Sequence, residues 1–221
     1  MTKMGMVIDL NRCMGCQTCA IACKMQNNVP MGMLWNRVLT MSEEGLDGVE
    51  GEYPNVSKNY VPVSCQHCEN APCVKVCPVE ATYRDENGRV LIDYDRCIGC
   101  RYCMAACPYN VRVFKWEEAI QHPNFNYGHR NVPARNIGVV EKCSMCKELT
   151  DEGKDPRCVQ CCPAEARTFG DLDDPDSLVS KLIREKKAKP LLEDKGTKPQ
   201  VYYIGLEGLE GGEKYDEKDE V

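Results

Sequence analysis

One stretch constrains this chain more than any other: Cys97-Ile98-Gly99-Cys100-Arg101-Tyr102-Cys103-Met104-Ala105-Ala106-Cys107-Pro108. It reads C-x2-C-x2-C-x3-C-P, a run that holds cubane iron–sulfur clusters. The two-residue gaps let a tight turn aim three consecutive sulfurs at one cube. A short helix carries the fourth sulfur away, towards a second cube, and Pro108 ends that excursion. One such run therefore predicts two clusters and a partner run elsewhere in the sequence.

Three partner groups are present. The first is Cys13, Cys16, Cys19 and Cys23, with the same spacing but Lys24 where the other groups have Pro. The second is Cys65, Cys68, Cys73 and Cys77-Pro78, with two extra residues before its third member. The fourth is Cys143, Cys146, Cys158 and Cys162-Pro163, its middle gap widened by the polar insertion Lys147–Arg157. Groups two and three are separated mainly by Ala81–Asp93, where Asn87-Gly88 between strand-forming residues signals a hairpin. Those two groups must form one two-cluster unit, and groups one and four are left to pair across it.

The expected fold class is α+β, with two bacterial-ferredoxin-like modules, one inserted in the other. The split module takes residues 1–26 and 141–170; the inserted module takes residues 64–110. Crossover of each fourth cysteine then fixes four ligand sets. Cys13, Cys16, Cys19 and Cys162 make the first; Cys23, Cys143, Cys146 and Cys158 make the second. Cys65, Cys68, Cys73 and Cys107 make the third; Cys77, Cys97, Cys100 and Cys103 make the fourth. Of 17 cysteines one is spare. Cys162 keeps the x3 spacing and precedes Pro163, so Cys161 is expected to be a free thiol serving as a small apolar filler.

Composition narrows the alternatives. Seventeen cysteines count towards the 43% hydrophobic share, while Phe and Trp number only 3 and 2. So thin an apolar core calls for internal staples, which metal clusters supply. A disulfide framework is disfavoured by the C-x-x-C grouping and by the absence of a secretory pattern at Met1–Asn11. Structural zinc would not ask for a third cysteine three positions on and a fourth followed by Pro. A net charge of −6 argues against nucleic acid as a partner, and no run of 18 apolar residues marks a membrane span.

The rest of the chain reads more coarsely. Met6–Leu10 is expected as a strand and Ala20–Gln26 as a short helix. Residues 27–63 and 111–140 read as long loops, and the stretches Met31–Trp35 and Trp116–His129 in them, with His122, Phe125 and Tyr127, as subunit-docking surface ahead of the alternative, core packing. Residues 171–221 form a C-terminal extension, with a helix opened by Asp174 as N-cap and Pro175 in the first turn. Leu178, Val179, Leu182 and Ile183 give that helix an apolar stripe. Val201–Ile204 reads as a last strand, and the acidic tail Gly211–Val221 is expected to be mobile. His67, inside group two, is expected to point away or to lie beyond the ligands. Lys75, Arg101 and Lys147 either bias cluster potentials or are simply solvated.

Four cysteine groups in this order, with the widened fourth, resemble the iron–sulfur electron-transfer subunit of the dimethyl sulfoxide reductase family of molybdopterin enzymes. The similarity is most specific at Val63–Pro78, Cys97–Pro108 and Gly196–Tyr203. It implies four [4Fe–4S] clusters and no active site. Electrons would pass between a catalytic subunit bearing a molybdenum or tungsten bis-pterin cofactor and a membrane quinone-reactive subunit or another carrier. It also implies a membrane-associated complex, placed outside the cytoplasmic membrane when the catalytic partner's export signal carries this chain along. Nitrate reductase relatives replace one cysteine of the third group by Trp, whereas Cys97, Cys100 and Cys103 are all present here. The alternative is an autonomous soluble polyferredoxin. A catalytic protein in its own right is disfavoured, because all-cysteine ligation leaves no coordination position for substrate.

Overall fold

The computed structural model describes residues 2–42, 45–46, 51–117 and 128–206. In chain order its elements begin with β1 (Met4–Asp9), α1 (Thr18–Gln26), β2 (Asn36–Ser42), β3 (Gly45–Leu46) and β4 (Asn59–Ser64). There follow α2 (Pro72–Lys75), β5 (Thr82–Arg84), β6 (Val90–Ile92), α3 (Tyr102–Ala105), β7 (Val113–Phe114) and β8 (Val140–Glu141). The last are α4 (Lys147–Thr150), α5 (Arg157–Gln160), β9 (Arg167–Asp171), α6 (Leu178–Glu185), β10 (Lys189–Pro190) and β11 (Val201–Ile204). Helix and strand are mixed, and most elements are very short.

The framework is a four-stranded sheet in the order β10-β11-β1-β9. In its interior, β1 runs parallel to β11 and antiparallel to β9. Side chains alternate faces along a strand. Met6 and Ile8 therefore join the core that surrounds the cysteines, while Val7 joins Val179, Ala188 and Ile204 beneath α6. Both faces of β1 are covered, which is why Met6, Val7 and Ile8 are all buried. Around this sheet the cysteine-bearing helices meet in pairs distant in sequence: α1 packs on α5, and α2 on α3.

Several expectations are corrected. β1 and α1 each begin two residues earlier than read. The segment 27–63, expected as loop, contains the antiparallel pair β2–β4, with Asn36 opposite Ser64 and Met41 opposite Asn59. Its strand partners lie more than fifteen residues apart, so no short-range turn signal announces them. Trp35 is core rather than docking surface, because its indole Nε1 donates to Glu141 Oε2 at 3.1 Å. The cap of α6 is Ser177, whose hydroxyl accepts from Ser180 N at 3.2 Å. Asp174 instead organises the turn just before it, accepting from Asp176 N at 2.8 Å. Leu178, at the first position of α6, is 61% exposed and leaves the stripe to Val179, Leu182 and Ile183.

The hairpin β5–β6 forms as read, but through a longer loop than a two-residue turn. Asp85 Oδ1 accepts from the backbone of Asn87 and Arg89, and Gly88 alone takes a positive φ, of 77°. Residues 118–127, with His122, Phe125 and Tyr127, and the tail Gly211–Val221 lie outside the described residues. Among the described residues no helix is long and apolar enough to cross a membrane.

Candidate metal centres

The four cysteine groups share one backbone device. In each, the residue just before the second cysteine has a positive φ: Gly15 at 70°, His67 at 45°, Gly99 at 69° and Met145 at 57°. This left-handed residue turns the chain so that successive N–H groups and sulfurs face one concavity. Glycine adopts it freely, whereas a side chain there costs about 1–2 kcal/mol. At Gly99 the choice is also steric, since a Cβ would sit 2.0 Å from the Gly138 carbonyl oxygen. Groups two and four tolerate His67 and Met145 because both are buried and packed.

Each group then reaches its third cysteine on a helix. Cys19 and Cys23 lie on α1, Cys73 on α2, Cys103 on α3 and Cys158 on α5. The structure gathers sixteen thiols into four clusters of side chains. Cys13, Cys16, Cys19 and Cys162 line one small hollow, and Cys77, Cys97, Cys100 and Cys103 line another. Burial holds the Cys23 thiol well above its ordinary range, and the nearby Cys143, Cys146 and Cys158 push it the same way. Burial likewise pushes the Cys68 thiol up to about 12, with Cys65, Cys73 and Cys107 as its thiol neighbours.

Backbone amides already point at several sulfurs. Ala166 N lies 3.3 Å from Cys162 Sγ, Met145 N 3.4 Å from Cys143 Sγ and Thr82 N 3.5 Å from Cys77 Sγ. Four thiols around a hollow, with N–H groups directed at sulfur, fit a cubane cluster. Among the described residues no three His, Cys, Asp or Glu side chains converge closely enough to hold one metal ion.

The sets also lie near one another in a row. Cys158 of the second stands near Cys19 of the first, and Cys143 of the second near Cys65 of the third. The charge of Arg112 reaches Cys73 of the third and Cys103 of the fourth. Accessibility follows the same order: Cys16 and Cys100, in the outer sets, are exposed.

His67 is fully buried, and its Nδ1 accepts from Val90 N at 3.0 Å. That bond needs an unprotonated Nδ1. Burial first, then Lys142, Arg89 and Arg112, hold its pKa well below the usual range, so the ring is neutral. Lys75 bonds Asn70, Arg101 stacks 4.8 Å from the centroid of the exposed Trp116 ring, and Lys147 pairs with Asp151. The buried cations are others, which sequence reading passed over; Arg112, Lys142 and Arg167 are among them. A basic residue flanked by apolar neighbours, as in Val111-Arg112-Val113, was the available signal.

Cys161 is half-buried on the helix-facing side of its group, its Sγ 3.9 Å from Thr18 O, while Cys162 lines the first hollow. Cys161→Ser is therefore expected to keep full iron content. Cys162→Ser is expected to lose or convert the cluster shared with Cys13, Cys16 and Cys19. Iron analysis of the two variants checks this, and the reverse pattern would mean that the register of the fourth group is wrong.

Comparison with known proteins follows the same lines. A family model described as a 4Fe-4S dicluster domain matches residues 56–125 and 127–172. A Halobacterium salinarum protein provisionally named as the iron–sulfur subunit of a dimethyl sulfoxide reductase is 55% identical over 213 residues, covering 94% of this chain and 80% of the relative. A selenate reductase subunit of Mesobacillus selenatarsenatis is 43% identical, over 90% of this chain and 70% of its own length. The arsenate respiratory reductase iron–sulfur subunit of a Shewanella species is 39% identical, over 94% and 98%.

Proposed function

Because the chain belongs to the iron–sulfur subunits of the dimethyl sulfoxide reductase family of oxidoreductases, we propose that it relays electrons through four [4Fe–4S] clusters within a larger complex. The catalytic partner would be a molybdopterin subunit. The onward partner would be a membrane quinone-reactive subunit or another carrier. The four cysteine sets given above would hold the clusters, in two modules of which one interrupts the other. When bound, such clusters supply one-electron transfer without bond making at substrate. The chain's own residues fix the sulfurs, exclude water from the inner sets and order the sets in space.

The carrying observation is the order and exposure of the sets. Inner thiols such as Cys23, Cys146, Cys65, Cys68 and Cys73 are buried, while each outer set exposes one cysteine amid apolar side chains. Beside Cys16 in the chain this is Met14, and along α1 Ile21 and Met25, each more than half exposed. Around Cys100 they are Ile98, Tyr102 and Trp116, all more than 60% exposed. Exposed apolar residues on the segments that carry both outer sets suit two docked partners better than a freely diffusing carrier. A membrane-associated location for the complex follows from the same reading.

Affinity purification of the chain from its native cells tests this. A stable heteromer with a molybdopterin subunit is expected, and substrate-linked reduction of the clusters within it. A monomeric product whose clusters exchange electrons only by collision would instead favour the autonomous polyferredoxin.

A further inference from the structure

Six cationic side chains are nearly or fully buried; Lys115 bonds the Arg135 carbonyl oxygen, and the other five divide into two kinds. Arg89 pairs with Asp85 and Asp151 at 2.7 Å each, and Arg135 pairs with Glu141 at 3.0 Å. Arg112, Lys142 and Arg167 are 3%, 2% and 5% exposed, and among the described residues none of them meets a carboxylate. A buried cation without a counter-charge is costly, by several kcal/mol per ion. Something else must balance all three.

Their positions say what. Arg167 Nη2 lies 3.5 Å from Cys19 Sγ and its charge also reaches Cys158, so it sits between the first and second sets. Lys142 bonds the carbonyls of Val90 and Cys143, and its charge reaches Cys143 of the second set and Cys73 of the third. Arg112 donates to Thr82 Oγ1 at 3.3 Å, has Cys73 and Cys103 within reach of its charge, and leaves its buried Nη2 without a hydrogen-bond partner. It thus stands between the third and fourth sets. Four sets have three junctions, and each junction holds one such cation.

We propose that Arg167, Lys142 and Arg112 are positioning residues that set the potentials of the clusters on either side of each junction. This rests on the four-cluster reading above. A thiolate-held cubane is an anion that becomes more negative on reduction. A buried positive charge beside it therefore favours the reduced form and raises the potential, with little screening by solvent. One charge shared between two neighbours raises both together, which keeps successive steps along the relay close in energy. The fourth-set end also shows the contrast: Arg101 and Lys75 lie at the surface, where water and salt damp their fields.

The test is a redox titration of the full chain in its complex, followed by paramagnetic resonance, with iron counted in each sample. Arg112→Gln is expected to lower the potentials of the third and fourth clusters and to leave the other two unmoved. Arg112→Lys, which keeps the charge, is expected to restore them, and Lys75→Gln to shift none. Unmoved potentials in Arg112→Gln with all iron retained would overturn the proposal, as would a lowered potential in Arg112→Lys. If Arg112→Gln loses iron, Lys142→Met carries the same measurement to the second and third clusters, read the same way. An unsubstituted chain holding fewer than four clusters would count against the four-cluster reading itself, independently of any shift.

Discussion

Anaerobically purified protein is expected to contain about sixteen iron and sixteen acid-labile sulfides per chain, and iron chelation is expected to unfold it. The reason lies in the length of its elements. The helices that carry Cys73, Cys103 and Cys158 have four residues each, far below the length at which a helix stands alone. Several strands have only two or three. Four cysteines are themselves members of the main core, so removing what they hold opens that core from inside. Arg112, Lys142 and Arg167 would then face protonated thiols without any compensating charge. A structural metal site contributes about 10–16 kcal/mol to folding, comparable with the whole stability of a domain at about 5–15 kcal/mol. Loss of the visible absorption of the clusters and loss of a cooperative far-ultraviolet transition should therefore coincide. An iron-free chain that still melts cooperatively would count against this, and a zinc-dominated metal content would end the iron–sulfur reading.

What was legible in the sequence was whatever is fixed by local spacing. Gly15 and Gly99 mark turns that only a left-handed residue makes, and cysteines two and three apart are brought together by a few residues of chain. The β5–β6 hairpin was legible for the same reason from Asn87-Gly88, but not the longer loop that Asp85 closes. Long-range pairings were not. β2 and β4 find each other across a stretch without a turn signal, and β1 pairs with β11 nearly two hundred residues later. Charged residues misled most. Lys142 directly precedes Cys143 and resembles any surface lysine in sequence, yet it is 2% exposed. Only the three-dimensional arrangement of the thiols explains why a cation is tolerated there. Similarly Asp174 carries a cap signal, but Ser177 lies one turn nearer the first apolar position that must face the sheet.

Cys23→Ser is expected to damage a cluster on the far side of the chain rather than the one built by its own group. If each run closed on its own cube, the damage would fall on Cys13, Cys16 and Cys19. The geometry supports the other outcome. Cys23 is fully buried among Cys143, Cys146 and Cys158, whereas Cys13 has Cys19 and Cys162 as its thiol neighbours. Asn27 Nδ2 lies 3.6 Å from Cys23 Sγ and 3.9 Å from Cys146 Sγ, so one side chain touches both ends of that set. α1 makes this crossing physical: Cys19 and Cys23 are one helical turn apart, and the rise of about 5.4 Å per turn carries the second sulfur beyond the reach of the first cube. The same helix packs on α5, which brings Cys158 alongside. Serine at position 23 is expected to reduce total iron by about a quarter, or to leave a three-iron cluster there. Site-selective iron labelling, or a structure of the variant, locates the loss. Iron missing from the cube of Cys13, Cys16 and Cys19, with the Cys143 cube intact, would sink the nested arrangement, because two modules that each closed on themselves would give the chain no reason to interleave its first and last cysteine groups.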